Sequence, residues 1–348
     1  MTKLIPRITI DGVEVDYLDG NYAQPGGLSA ATLTFKIPAL EQGMQKLWNK
    51  EVLLFLNESD GVPIFRGYIK RVKETFEELE IFAQDILGYM VKGGDQEVAK
   101  IVLTDTDNLD GLTASAAITK ALSKANLSSK LSVLGNTSPT MGTVRPPLRG
   151  ALSVLDIIKT LLSQAVNNNS TLPRPNIARI IEDGSTSQLV MELEADIDSD
   201  PIVHTYTEHN NIVSLSINER RVPTVIVVNG KDGVSSTFTH DTARSAFDRN
   251  YLEVTNETLT SPASCKDFAQ KLFEANLKAQ YEYGIEVTEG GYLNENDVIR
   301  IETEDERLSG NYRVIGKAIS FSPSDYSVGI TINKKPPTLA EYISSRDN

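Results

Sequence analysis

Residues 49–56 read NKEVLLFL, residues 65–72 read FRGYIKRV and residues 79–83 read LEIFA. Val52, Leu54 and Leu56 alternate with Leu53 and Phe55; after a turn at Asp60-Gly61, Phe65, Gly67 and Ile69 repeat with period two, and Leu79, Ile81 and Ala83 follow. A period of two is the mark of strands with one buried face, and short strands separated by Gly and Asp turns predict a small antiparallel barrel or sandwich. The same phrase returns near the other end of the chain: ENDVIRIE at 295–302, LSGNYRVIGKAI at 308–319 and SVGITI at 327–332. In each copy an acid precedes a Val-led strand and a Gly and a Tyr open the next. On this reading Glu51 and Val52 answer to Asp297 and Val298, and Gly67 and Tyr68 to Gly310 and Tyr312. The second copy has a shorter turn, which a hairpin absorbs at little entropic cost. Two look-alike barrels in one chain have a consequence for symmetry. A closed ring of three such chains presents six similar modules and still offers a three-fold face.

Working outward, the expected fold is mainly β with α+β insertions: two similar small antiparallel β-barrels joined by mixed α/β segments. Residues 1–93 form the first barrel, punctuated by Pro6, Pro25, Gly26 and Gly27, with a strand from Thr32 to Ile37 ended by Pro38. The composition shifts after Gly93-Gly94 into an α/β middle domain, 94–205. There, 113–127 is rich in Ala, Leu and Lys and reads as a helix. In 153–166, Val154, Leu155, Ile158, Leu161, Leu162 and Ala165 form one helical stripe, capped by Ser153 with Asp156 in the first turn. Residues 135–150 and Asn167 to Pro175 read as loops. A hairpin is expected from Ile177–Ile181 and Leu189–Leu193 around Asp183-Gly184. The second barrel is discontinuous, 206–235 and 281–335, with strands at Ile212–Ile217 and Val225–Val228. It is interrupted by a helical insertion, 236–280, that continues the middle domain and whose helix starts at Ser261-Pro262. Residues 336–348 are a tail after Pro336-Pro337.

The chain has 348 residues, with 47 acids against 34 bases for a formal charge of −13. That balance opposes a phosphate-clamping surface, which needs clustered Lys and Arg, so no sequence-specific nucleic-acid binding is expected. The single Cys265 excludes an internal disulfide and Cys-based zinc sets. No apolar run approaches the ~20 residues that span a bilayer. The opening MTKLIPRITI lacks a secretory h-region, so folding in a cytoplasm is expected. No nucleophile elbow, P-loop or dinucleotide fingerprint occurs. Asn229-Gly230-Lys231 only imitates the end of a P-loop and reads as a turn, and His204, His209 and His240 are too few and irregular for a zinc site. Neither a cofactor nor a metal is expected.

The densest candidate site is Glu192, Glu194, Asp196, Asp198 and Asp200, each two residues from the next. As a strand, this stretch presents all five acids on one face, with Met191, Leu193, Ala195 and Ile197 on the other. Such carboxylates repel, so the face is either well hydrated or placed for function. Asp196-x-Asp198-x-Asp200 imitates the start of a calcium loop, but Pro201 stands where that loop needs Gly and Thr207 where it needs Glu. As an inward-facing stripe the acids would line a channel that repels the DNA backbone. A carboxylate pair also suffices for glycoside hydrolysis.

These segments resemble the baseplate hub, or tail hub, proteins of tailed bacteriophages, related to the N-terminal part of type VI secretion spike proteins. LTFKIPA, NKEVLLFL, VPIFRGYIKRV and LEIFAQDILGYM are similar to that family's first barrel. NIVSLSINERRVPTVIVVNG resembles the start of the second barrel, and NENDVIRIETEDERLSGNYRVIGKAISFSPSDYSVGITIN its end, where the family favours Gly-Asp or Asn-Asp turning into a strand. The resemblance implies a non-enzymatic homotrimer forming a pseudo-six-fold ring. That ring joins a hexameric tail tube or distal tail protein to a trimeric spike, lines the DNA channel and neighbours the tape-measure protein in the virion tail. It also implies assembly in the host cytoplasm, with spike and wall-degrading enzyme as separate proteins. The rival reading is a tail-associated wall-degrading or carbohydrate-active enzyme using a carboxylate pair. A carbohydrate-binding adhesin module is disfavoured by one Trp and 7% aromatics.

Overall fold

A computed structural model describes residues 6–39, 47–56, 61–90, 100–103, 109, 112–134, 150–164, 176–219, 222–241, 244, 249–256, 259–278, 281–305 and 308–333. The expected boundary at Gly93-Gly94, residues 135–149 of the loop expected at 135–150, the loop at 167–175 and the tail at 336–348 lie outside these residues, while Gly150 opens a strand.

The N-terminal strands are β1 (Arg7–Ile10), β2 (Val13–Val15), β3 (Asp19–Gln24), β4 (Thr32–Pro38), β5 (Glu51–Phe55), β6 (Phe65–Glu74) and β7 (Glu78–Gln84). A middle unit follows with α1 (Ile86–Met90), β8 (Lys100–Leu103), α2 (Ala114–Lys124), β9 (Leu131–Val133), β10 (Gly150–Ser153), α3 (Val154–Gln164), β11 (Asn176–Glu182) and β12 (Ser187–Leu193). Then come β13 (Ile202–Thr207) and β14 (Ile212–Glu219), and an insertion of β15 (Val225–Asn229), β16 (Ser235–Thr239), β17 (Tyr251–Thr255) and α4 (Pro262–Lys278). The chain closes with β18 (Tyr281–Val287), β19 (Val298–Glu302), β20 (Gly310–Ser322) and β21 (Asp325–Asn333).

The fold is mainly β. Among the described residues, thirteen strands drawn from 7–84 and 202–333 make a single sheet, joined where β3 pairs with β20. Within it the echo is a structural duplication. The first half runs β5-β6-β7-β4-β3 and the second β19-β20-β21-β18-β14, with every neighbour antiparallel and each strand holding the same rank along its half. The sixth strand breaks the match: β1 is antiparallel to β5, whereas β13 is parallel to β19. Among the described residues the hydrogen-bonded ladders close neither half into a barrel, and the two halves share one core. Leu33, Phe35, Leu54 and Ile81 from one half and Ile285, Ile301, Tyr312 and Ile330 from the other all belong to it.

The residue correspondence read from sequence is shifted by one in the first strand. Inward-facing Val52 and Leu54 stand opposite Gly67 and Phe65, and inward-facing Ile299 and Ile301 stand opposite Tyr312 and Gly310. Val52 therefore answers to Ile299, not Val298, and Gly67 to Tyr312; a one-residue slip would turn the wrong face to the core. The glycine and the aromatic have exchanged places. A Cβ on Gly67 would sit 2.3 Å from the Phe65 ring, so the small residue makes room for the large one two positions away. A bulge fixes this register independently: β6 slips against β7 between Ile69 and Arg71, and β20 against β21 between Val314 and Gly316, the same place in both halves.

The middle unit has a core of its own, including Ile118, Leu122, Val154, Ile158 and Leu189. Its helices start as expected. Thr113 accepts from the Ala116 amide, Ser153 Oγ accepts from the Asp156 amide at 3.0 Å, and Ser153 donates back to the Asp156 carboxylate at 2.6 Å. The β11–β12 hairpin turns at Gly184, with φ +89°. The Val225–Val228 strand does not join the second half. It sits in a separate three-stranded sheet with β16 and β17, and α4 covers that sheet through Cys265, Ala269 and Phe273. Among the described residues the insertion's apolar core is separate from that of the middle unit.

Candidate functional site

The feature that organises the molecule is the seam where the two halves meet and the middle unit docks. Along the β3–β20 ladder, Gly20 lies opposite Phe321, and a Cβ there would come within 2.3 Å of the Phe321 ring. Tyr17 meets the same ring edge-on at 5.4 Å. On the outer face Asn21 donates to Ser320 Oγ at 3.2 Å. Behind this ladder Lys317 is buried, and its ammonium donates to the Gly291 and Leu293 carbonyls at 2.6 and 2.5 Å. Burial lowers its pKa to about 7, because a desolvated cation is costly.

The middle unit reaches both halves through its β11–β12 hairpin. Toward the first half, Arg66 pairs with Glu51 at 2.8 Å and with Glu182 at 3.3 Å, and donates to the Gly184 carbonyl at 2.8 Å. Asp85 accepts from the Ala31 and Gly88 amides at 3.0 and 3.2 Å. Burial pushes Asp85 up to about 7 and Glu182 up to about 8. Toward the second half, Arg179 pairs with Glu192 at 3.0 Å and with Asp297 at 3.5 Å, and donates to the Glu295 carbonyl at 2.8 Å. Asn296, with φ 76°, occupies the left-handed conformation that Asn tolerates better than most residues. It accepts from the Ala195 amide at 2.7 Å and donates to Glu192 at 2.8 Å and to the Leu193 carbonyl at 3.0 Å. A cavity of about 450 Å³ lies where the three parts converge, walled by Tyr22, Phe65, Asp85, Arg179, Glu182 and Lys317, among others.

The five acids are not one strand face. Strand β12 ends at Leu193. Glu192 is held by Arg179 and Asn296, and Glu194 pairs with Arg313, a partly buried guanidinium whose pKa desolvation lowers. Asp196 to Asp200 form a turn. The Asp200 amide donates to the Asp196 carbonyl at 2.8 Å, the Asp196 amide to the Asp200 carboxylate at 2.7 Å, and the Asp198 amide to the Asp196 carboxylate at 3.1 Å. Aspartates that cap their own backbone end a strand, which alternation alone cannot reveal. Among the described residues no group of three or more His, Cys, Asp or Glu side chains is arranged to hold a metal. His204 sits beside Tyr206 and Tyr292, His209 is exposed beside Glu304, and His240 stacks on Phe273 at 4.7 Å between ring centres. No described helix is long and apolar enough to cross a membrane. The seam residues Asp85, Arg179, Glu182, Arg313 and Lys317 carried no sequence signal; the Asn296-Asp297 turn did, as the Asn-Asp entry to a strand.

With this geometry the fold is similar to that of several solved tail and secretion proteins. Its fold matches the tail protein from Neisseria meningitidis MC58 with a TM-score of 0.64 at 13% identity, covering 95% of this chain and 96% of that one. The 43 kDa tail protein of prophage MuSo2 from Shewanella oneidensis matches with a TM-score of 0.63 at 10% identity, covering 94% and 97%. The E. coli c3393 protein, a component of the type VI secretion system, matches with a TM-score of 0.56 at 12% identity, covering 95% and 79%. No family model and no curated protein matches the sequence.

Proposed function

We propose that this chain is the structural hub of a phage-type tail baseplate. It is a homotrimer whose duplicated halves build a pseudo-six-fold ring, joining a hexameric tail tube or distal tail protein above to a trimeric spike below. The observation that carries this reading is the duplication, with one strand order and one bulge position in both halves. Three copies then offer six near-equivalent modules to a six-fold partner, while the middle units and insertions repeat only three times. The shared fold with tail proteins supports it. Complementary surface performs the work, not bond chemistry, and obligate interfaces of this kind typically bury more than ~2,000 Å². The ring encloses the DNA path beside the tape-measure protein. The Asp196–Asp200 turn and the net charge of −13 keep that path repulsive to phosphate. The chain is assembled in the host cytoplasm and resides in the virion tail. End-on electron-microscopy averages of the purified protein test this: a three-fold particle with six lobes around a hole is expected, and particles without three-fold symmetry overturn it.

A further inference from the structure

Lys317 is a buried lysine with no acid to balance it. It is 6% exposed, and among the described residues its nitrogen makes two hydrogen bonds, both to uncharged groups, the carbonyls of Gly291 and Leu293. An ammonium has three N–H donors, and a third one buried without an acceptor is costly. A neutral amine has two N–H bonds and a lone pair, so two carbonyls satisfy it and leave the lone pair uncommitted. The nearest charges do not hold a proton there: Asp297 and Arg179 pair with each other at 3.5 Å and act on Lys317 in opposite senses, and burial outweighs both. The two acceptors are fixed by their own segment. The Leu293 amide donates to the Gly290 carbonyl at 2.9 Å, Tyr206 donates to the Glu289 carbonyl at 3.0 Å, and the Tyr292 hydroxyl meets His204 at 2.6 Å. A Cβ at Gly291 would collide with Leu56, so glycine lets this segment close onto the lysine.

Lys317 is also a wall of the 450 Å³ cavity. Two other lining residues, Val62 and Tyr292, are exposed, so the cavity opens to solvent. Leu56, Ile64, Phe65 and the Tyr22 ring, 5.9 Å from the Lys317 nitrogen, give it an apolar side. We propose that this cavity is a covalent site for a small uncharged aldehyde, captured by the Lys317 amine as an imine. A desolvated lysine amine is the usual nucleophile for a carbonyl carbon. The lone pair adds to that carbon as the oxygen takes up a proton. The hydroxyl then leaves as water with a second proton, and the nitrogen, having given up both, ends doubly bonded to carbon. One amine and one aldehyde thus become one imine and one water. Asp85 and Glu182, pushed up to about 7 and 8 by burial, hold protons at neutral pH and can supply the one the oxygen needs. An anionic carbonyl compound would meet the carboxyl groups of Asp85, Glu182 and Glu289, which is why the aldehyde is uncharged.

Reductive trapping on the folded full chain tests it, with butanal as the probe, cyanoborohydride to fix the imine and peptide mass spectrometry to locate the label. A lysine with its pKa near 7 is about half neutral at pH 7, against fewer than about one in 10³ for an ordinary lysine near ~10.4. Lys317 is therefore expected to take up label at least ~10-fold faster than exposed lysines, a margin that leaves room for slower entry into the cavity. The preference should vanish in urea and should be weaker with glyoxylate, which carries a carboxylate. Labelling of Lys317 no faster than of exposed lysines overturns the proposal. So does a preference that survives urea, because the cavity would then play no part, and equal preference with glyoxylate overturns the uncharged class. Thermal melts give a second readout: butanal without reductant should raise the melting temperature of the wild type and leave that of Lys317→Met where it was. An equal rise in both counts against capture at this nitrogen. None of these outcomes bears on the hub reading, which rests on the duplication.

Discussion

Replacing Asn296 by Asp changes one atom at the joint between the middle unit and the second half. The wild-type amide donates to Glu192 and to the Leu193 carbonyl and accepts from the Ala195 amide. An aspartate keeps the acceptor, loses both donors and sets a second carboxylate against Glu192. The donor to a charged group contributes about 1.5–3 kcal/mol and the donor to a carbonyl about 1 kcal/mol. With some repulsion added in a partly exposed setting, the loss at pH 7 should be about 3–4 kcal/mol. The new carboxyl should titrate above its unfolded value, so the folded state holds its proton longer. The penalty is then smallest below pH ~4, where both states are protonated and the carboxyl regains one of the two donors, and it builds as pH rises through the folded pKa. Urea unfolding at neutral and mildly acidic pH measures this, with hydrogen exchange at Ala195 as a local probe. Ala195 should stay protected in Asn296→Asp and lose protection in Asn296→Ala. An Asn296→Asp chain as stable as wild type at pH 7 would refute the argument.

Other outcomes follow from the same seam. Asp85 and Glu182 have folded pKa values near 7 and 8, above their unfolded values, so their contribution to stability is present at acid pH and lost as pH rises from about 4 to 8. Asp85→Asn with Glu182→Gln should flatten the stability profile there, as read by thermal melts across that range. Lys317, lowered to about 7, acts in the opposite sense: stability rises with pH between about 7 and 10.5, and Lys317→Met should remove that slope. Gly20→Val should cost about 1–3 kcal/mol by collision with Phe321, and Phe321→Ala in the same chain should recover part of it, giving a non-additive double-mutant cycle. Purified protein should release no soluble fragments from peptidoglycan. Activity abolished by Glu192→Gln or Glu194→Gln would instead establish the rival enzymatic reading.

Much of the sheet was legible because its burial pattern is written in the side chains: β4 and β7 alternate buried and half-buried positions along their lengths, as their sequences do. The helix cap at Ser153 and the hairpin turn at Gly184 were equally local. The shift from Val298 to Ile299 was not legible. Val298 and Ile299 are both apolar, both are buried, and only cross-strand pairing shows which faces the shared core. Val225–Val228 has the composition of any buried strand, and its partners β16 and β17 decide its sheet. The acidic run misled for a related reason. Its neutralising partners, Arg179 and Arg313, lie at distant points in the chain, and Asp196 and Asp200 spend their oxygens on their own turn.

The central claim is that one chain supplies two near-equivalent modules so that three copies serve a six-fold partner. Light scattering on the full chain over a range of concentrations tests it most directly. The expected particle mass is three times 38.2 kDa; a mass that settles at one, two or four chains contradicts the account.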